Sequence, residues 1–212
     1  MYSRRKFLTT TALATAGLGL AACRDAAQAG GVGAAPAAPS SEAVSGALNT
    51  RLVPSTGERV PVIGMGTSGS FEVGQSAAEL DPLREVLKRF FAAGATLIDT
   101  APTYSVAEYV IGALLAEQGL TIKAWLATKL SGVTGREAGM AQFEDTLRRL
   151  KTDKVALLQV HNLRDTAAQI ALAGELKQQG KTRYVGLTHY REDAQAQLAQ
   201  EMRKHKPDFI QI

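Results

Sequence analysis

From Pro61 to Ile212, short apolar runs alternate with amphipathic segments. The apolar runs occupy residues 61–67, 95–100, 125–130, 155–160, 184–187 and 209–212. Between them, residues 82–93, 107–118, 138–150, 166–179 and 192–205 carry apolar side chains at the spacing of one helix face. In the first helical segment that face is Leu83, Val86, Leu87, Phe90 and Phe91. Gly94, Gly119 and Gly180 stand just past three of the segments, where helices commonly end in left-handed backbone. Runs that are apolar throughout suit parallel strands covered on both faces. The unit repeats about every 30 residues, the length of a strand–helix–strand unit. Six strands and five helices in this order specify an α/β fold, either a doubly wound sheet or a (β/α)8 TIM barrel.

The polar residues at the strand ends separate the two. Asp99, Lys129, His161 and the pair Thr188-His189 follow four successive strands. A barrel draws its functional side chains from the ends of many strands. A doubly wound sheet concentrates its site at one switch point. The barrel is therefore the expected architecture, preceded by a small hairpin over residues 51–60 that turns at Ser55-Thr56-Gly57. A complete barrel takes about 250 residues, whereas about 150 follow Pro61. The barrel is expected to be incomplete here, with two further strand–helix units needed to close it. An open arc would leave two unpaired edges and an exposed apolar interior. The expectation is thus a fragment of a longer protein or a defective product.

The N-terminus has a different character. Ser3-Arg4-Arg5-Lys6-Phe7-Leu8 precedes a mildly apolar stretch to Ala22, the layout of a bacterial twin-arginine (Tat) signal. That stretch is too short, and too rich in Ala, Thr and Gly, for a transmembrane helix of about 20 strongly apolar residues. Residues 1–29 are read as this signal, which implies the Tat translocase as a partner and a periplasmic or otherwise exported location. Leu20-Ala21-Ala22-Cys23 resembles a lipobox, and a lipidated Cys23 would tether the protein to a membrane. Cleavage after Ala27-Gln28-Ala29 is the competing route. Residues 30–49, rich in Ala, Gly, Ser and Pro, read as a flexible linker, and residues 50–212 as the barrel. The formal charge of +4 is concentrated in the signal, which leaves the folded part near neutral. No basic face suited to nucleic acid is evident. The lone Cys23 excludes an intramolecular disulfide and a cysteine-built zinc site, and no metal is expected.

The octapeptide Leu97-Ile98-Asp99-Thr100-Ala101-Pro102-Thr103-Tyr104 carries the chemistry. A strand ends in a carboxylate, and a turn delivers a phenol five residues later. Tyr104 is the candidate general acid, because a phenol with a pKa near 10 stays protonated at neutral pH. A nearby cation, Lys129, is expected to lower that pKa. Asp99 would pair with Lys129 and fix it, and His161 would hydrogen-bond a substrate carbonyl. Taken singly, each has an ordinary structural explanation: a packed rim tyrosine, a turn cap, a solvated lysine, a structural histidine. Their joint occurrence at corresponding strand ends favours catalysis.

Those residues give the chain its resemblance to the aldo/keto reductases. It extends from about Arg51 to Ile212, through Gly64-Met65-Gly66-Thr67, the octapeptide, Glu108 with Gly112, and Ala127-Thr128-Lys129-Leu130. It continues through Leu158-Gln159-Val160-His161, Gly186-Leu187-Thr188-His189 and Pro207-Asp208-Phe209-Ile210-Gln211. The resemblance implies a catalytic tetrad of Asp99, Tyr104, Lys129 and His161. It implies reduction of a small-molecule aldehyde or ketone by NADPH, with NADH as the alternative, bound without a Gly-x-Gly-x-x-Gly turn. Gly66, Thr67, Asp99, Thr188, His189 and Gln211 fall where the family contacts cofactor. Thr188-His189 departs from the more usual Ser-Asn, although both residues retain hydrogen-bonding groups. Asn162 replaces a common aromatic and implies a more polar substrate pocket. The rival reading is a non-catalytic barrel that binds nucleotide or a partner.

Overall fold

The computed structural model describes residues 47–212. The twin-arginine signal, Cys23 and most of the linker lie outside the described residues. The chain opens with an antiparallel hairpin, β1 (Thr50–Leu52) and β2 (Arg59–Pro61), in which Thr50 pairs with Pro61. Six parallel strands follow: β3 (Gly64–Gly66), β4 (Leu97–Asp99), β5 (Trp125–Leu130), β6 (Val155–His161), β7 (Thr182–Thr188) and β8 (Phe209–Gln211). They lie in sequence order across one sheet. A doubly wound sheet would reverse its strand order at a switch point. Sequential order is that of a barrel, and the curled sheet is an arc of a (β/α)8 barrel. The crossovers are α1 (Ala77–Ala92), α2 (Ala107–Glu117), α3 (Arg136–Leu150), α4 (Thr166–Gln178) and α5 (Gln195–His205).

Pleating sorts the side chains by face. Ile98, Leu126, Leu130, Leu158 and Val185 pack outward against the helices. Leu97, Trp125, Ala127, Leu157, Tyr184 and Phe209 form a separate cluster with Val53 and Val60 of the hairpin. The hairpin is tied to that cluster by Glu58, whose carboxylate accepts from Trp125 Nε1 at 3.1 Å and from the Tyr184 hydroxyl at 2.6 Å. The polar strand ends lie beyond this apolar layer.

Several boundaries differ from expectation. Helix α1 begins at Ala77, five residues before Pro82. Ser76 and Glu79 form a capping box there: the Glu79 carboxylate accepts from the Ser76 hydroxyl at 2.5 Å and its N–H at 3.3 Å. Pro82 is then carried inside the helix. Strand β3 is shorter than the 61–67 run, because Pro61 closes the hairpin and Val62 and Ile63 bridge to the sheet half-exposed. Helix α5 starts at Gln195, after a short 3-10 turn over Glu192–Ala194.

Helices α2 and α3 meet around Glu108 and Gly112. Buried Glu108 accepts from Thr128 Oγ1 at 3.0 Å, Thr146 Oγ1 at 3.1 Å and Arg149 at 3.4 Å. Burial pushes its pKa up, and those hydrogen bonds oppose the shift. One turn later, a Cβ on Gly112 would sit 2.1 Å from the Arg149 carbonyl oxygen and 2.7 Å from Leu150 Cα. Both neighbours are backbone, so the helices must part if Gly112 acquires a side chain. We expect Gly112→Ala to cost on the order of 2 kcal/mol and to lower Tm by about 4–8 °C. Gly174→Ala in α4 meets nothing within 4 Å and should instead stabilise, by about 0.5–1 kcal/mol. Thermal melts of the two variants check the opposite signs.

Candidate functional site

The C-terminal strand ends gather the predicted residues, as a barrel requires. Asp99 ends β4, Lys129 is the penultimate residue of β5, and His161, Thr188 and Gln211 end β6, β7 and β8. In register, Lys129 pairs with Gln159, while His161, Thr188 and Gln211 share one rung. Tyr104 arrives by a tight turn in which its N–H donates to the Ala101 carbonyl at 3.0 Å. Pro102 occupies the second turn position, where its fixed φ is favourable.

Lys129 is buried, and its ammonium donates to Asp99 Oδ1 at 2.9 Å, Asp99 Oδ2 at 2.7 Å and the Thr100 carbonyl at 2.8 Å. All three N–H donors are therefore used. Burial lowers the Lys129 pKa, and Asp99 offsets part of that shift. The same Nζ lies 5.2 Å from the centroid of the Tyr104 ring. The Tyr104 ring meets the His161 ring edge to face, with centroids 6.1 Å apart at 86°. Asp99, Lys129, Tyr104 and His161 thus form one contiguous cluster.

One electrostatic expectation is reversed. The Tyr104 pKa is raised, first by burial and then by the Asp99 and Glu72 carboxylates. Burial and the two carboxylates set the net direction, and Lys129, paired with Asp99, does not reverse it. Tyr104 therefore remains a protonated donor at neutral pH. The His161 pKa is pushed down to about 4, first by burial and then by the Lys129 charge. Its imidazole is neutral at pH 7.

The expected cofactor residues divide into two groups. Buried Thr67 is bound to Asp99, since its N–H and hydroxyl both donate to the Asp99 carbonyl, at 3.0 and 3.1 Å. A Cβ built on Gly66 meets nothing within 4 Å, so open space lies before that backbone. Gln211 Oε1 accepts from Gln159 Nε2 at 3.1 Å, and the buried Gln159 Oε1 has no partner among the described residues. An open backbone face and a run of side-chain amides and hydroxyls suit a planar ring bearing a carboxamide. His189 differs: its Nδ1 accepts from the Arg191 N–H at 3.1 Å, and its ring stacks on Tyr190. Its imidazole serves its own loop, and its backbone N–H reaches the Gln211 carbonyl at 3.2 Å.

A cavity of about 490 Å³ opens beside His161, lined by Thr103, Ser131, Gly132, Asn162 and Arg164. Thr103, Ser131, Asn162 and Arg164 bring hydroxyl, amide and guanidinium groups to its lining. The buried Asn162 Oδ1 has no partner among the described residues. Ser131, Gln142, Gln159 and Arg164 were not singled out from sequence. Ser131 and Gln159 carry the one available signal, adjacency to strand-end tetrad members. Among the described residues no His, Cys, Asp and Glu cluster could hold a metal, and no helix is long and apolar enough to cross a membrane.

Comparison with known proteins gives a consistent picture. The sequence model of the aldo/keto reductase family matches residues 62–212. An aldo-keto reductase of Bacillus subtilis, YhdN, is 31% identical over 123 residues, covering 50% of this chain and 36% of that protein. L-galactose dehydrogenase of Arabidopsis thaliana is 28% identical over 155 residues, covering 66% of this chain and 48% of that protein. The chain thus spans less than half the length of these curated relatives. A solved Klebsiella pneumoniae aldo-keto reductase in complex with NADPH superimposes with a TM-score of 0.55 at 27% identity. That match covers 70% of this chain and 51% of the solved one.

The His161 shift has a stability consequence with a definite sign. The unfolded imidazole takes up its proton near pH 6.5, whereas the folded one does so near 4. Between those values the unfolded chain binds more protons, so His161 weakens the fold as pH falls through that window. Its favourable contribution is complete above about pH 6.5. We expect an NMR titration to place the His161 midpoint near pH 4. The acid-side loss of urea stability should be shallower in His161→Gln than in wild type.

Proposed function

The chain belongs to the aldo/keto reductase family, and from that premise we propose that it is a nicotinamide-dependent carbonyl reductase with Tyr104 as general acid. The observation that carries this reading is the contiguous Asp99–Lys129–Tyr104–His161 cluster at the C-terminal strand ends. NADPH is the proposed cofactor, with NADH the alternative. Gly66, Thr67, Thr188 and Gln211 would hold its nicotinamide end beside Asp99. When bound, the reduced nicotinamide supplies the hydride.

The chain's own residues do the rest. Neutral His161 donates one ring N–H to the carbonyl oxygen and orients it. Tyr104 gives its phenolic proton to that oxygen as negative charge develops there. The Lys129 ammonium, held by Asp99 beneath the Tyr104 ring, then stabilises the phenolate until a proton is restored. Thr103, Ser131, Asn162 and Arg164 give the pocket hydroxyl, amide and guanidinium groups. The proposed substrates are therefore small polar aldehydes or ketones, rather than bulky apolar ones. The name of the Arabidopsis relative, a dehydrogenase of a hydroxylated sugar, agrees with a polar substrate.

The Arg4-Arg5 signal supports export through the Tat route, with Cys23 as a membrane tether if it is lipidated. That route carries folded proteins, so we propose that cofactor is loaded in the cytoplasm and exported with the protein. Nucleotide recovered with protein purified from the periplasm is the expected result; protein found empty there, or retained in the cytoplasm, would overturn this part.

The enzymatic reading is tested by NADPH oxidation with 4-nitrobenzaldehyde, using the full-length protein. Tyr104→Phe should lower kcat by about 10²–10⁴-fold and leave NADPH affinity within about threefold. Equal turnover in the variant removes Tyr104 as the acid. Nucleotide binding with no turnover in wild type would favour a non-catalytic barrel.

A further inference from the structure

Ser131 is buried just past β5, and its hydroxyl lies 2.7 Å from His161 Nδ1. It is held in place from a third element. Gln142 of α3 accepts from the Ser131 N–H through Oε1 at 2.7 Å and donates to the Ser131 carbonyl through Nε2 at 2.8 Å. This two-point clamp defines the Gln142 amide orientation, because only the oxygen can face an N–H. The position of Ser131 is therefore set independently of His161.

We propose that Ser131, clamped by Gln142, is a positioning residue that holds neutral His161 as the tautomer with its proton on Nε2. The proposal rests on the reading of His161 as the donor to a carbonyl. A neutral imidazole has one N–H and one bare nitrogen. With the proton on Nδ1, that N–H would donate to Ser131 and a bare Nε2 would remain, unable to donate to a carbonyl oxygen. With the proton on Nε2, the Ser131 hydroxyl donates to Nδ1 and the remaining N–H is free for substrate. Nδ1 is the hydrogen-bond partner that Ser131 Oγ has among the described residues. The first arrangement would leave the hydroxyl hydrogen without an acceptor among the described residues, which is unfavourable. The second satisfies both groups. The downshifted His161 pKa leaves a neutral ring for the hydroxyl to act upon.

The three histidines of the chain make the tautomer readable by ¹⁵N NMR of the imidazoles in the full-length protein. His161→Gln identifies the His161 signals. Near neutral pH the wild type should show Nε2 protonated and Nδ1 bare. Ser131→Ala should show both tautomers, and Ser131→Thr, which keeps a hydroxyl, should restore the wild-type pattern. In turnover, Ser131→Ala should reduce kcat/KM by roughly tenfold, with NADPH affinity unchanged and recovery in Ser131→Thr. A wild-type ring protonated on Nδ1, or a Ser131→Ala spectrum identical to wild type, overturns the proposal. The spectra need no turnover, so failure of the reductase reading would appear separately, as absent activity beside an intact tautomer pattern.

Discussion

The pair between buried Lys129 and partly buried Asp99 is the interaction on which the site depends. Two charges leave water at the top of adjacent strands, and each finds its partner there. Lys129 spends one donor on the Thr100 carbonyl and directs the others to both Asp99 oxygens. Such a pair is weak evidence for stability, since apolar residues of similar volume commonly serve the fold as well. Its value lies in position. The pair joins the ends of β4 and β5, fixes the backbone from which the Tyr104 turn departs, and places an ammonium under the Tyr104 ring. Thr67 extends the arrangement to β3 by donating twice to the Asp99 carbonyl.

The rest of the interior separates this charged layer from the hairpin end. Trp125, Leu157, Tyr184 and Phe209 fill the lower layer, and Glu58 ties the hairpin to Trp125 and Tyr184. Above them the inward positions turn polar: Lys129, Gln159, His161, Thr188 and Gln211. The same pleat that turns Lys129 inward turns Thr128 outward, where its hydroxyl reaches buried Glu108. One strand thus carries two buried polar networks on opposite faces, one serving helix packing and the other the candidate site.

Much of this was legible in the sequence because it depends on strand ends. A side chain closing an apolar run points to the C-terminal face wherever the run begins or ends within a residue or two. Asp99, Lys129 and His161 could therefore be placed without the structure, and Pro102 made the Tyr104 turn readable. Boundaries set by side-chain capping were harder. Pro82 looked like a helix start until the Ser76–Glu79 box displaced it by five residues. Contacts between elements distant in sequence were not legible. Nothing local to Ser131 indicates that Gln142 will clamp it, or that its hydroxyl will meet His161 thirty residues on. The direction of the Tyr104 shift is hidden for the same reason: the sequence supplies a lysine, but only the fold shows the burial and the Asp99 and Glu72 carboxylates that outweigh it.

On the proposed reading, the pairing of Lys129 with Asp99 is a catalytic asset. At neutral pH the two groups that would face a carbonyl oxygen, the Tyr104 phenol and the His161 imidazole, carry no net charge. Neutral donors bind a neutral carbonyl modestly, and they bind an oxygen gaining negative charge more strongly. The ammonium beneath them is compensated by Asp99 in the ground state, so it adds little attraction for the substrate itself. Charge appearing on the oxygen and then on the phenol brings that buried ammonium into use, its field less screened than it would be in bulk water. Interactions that strengthen only as charge develops lower the barrier without deepening the substrate well. The same reasoning favours burying the lysine: an exposed ammonium would act through a high dielectric, where its pull on the developing charge is largely screened.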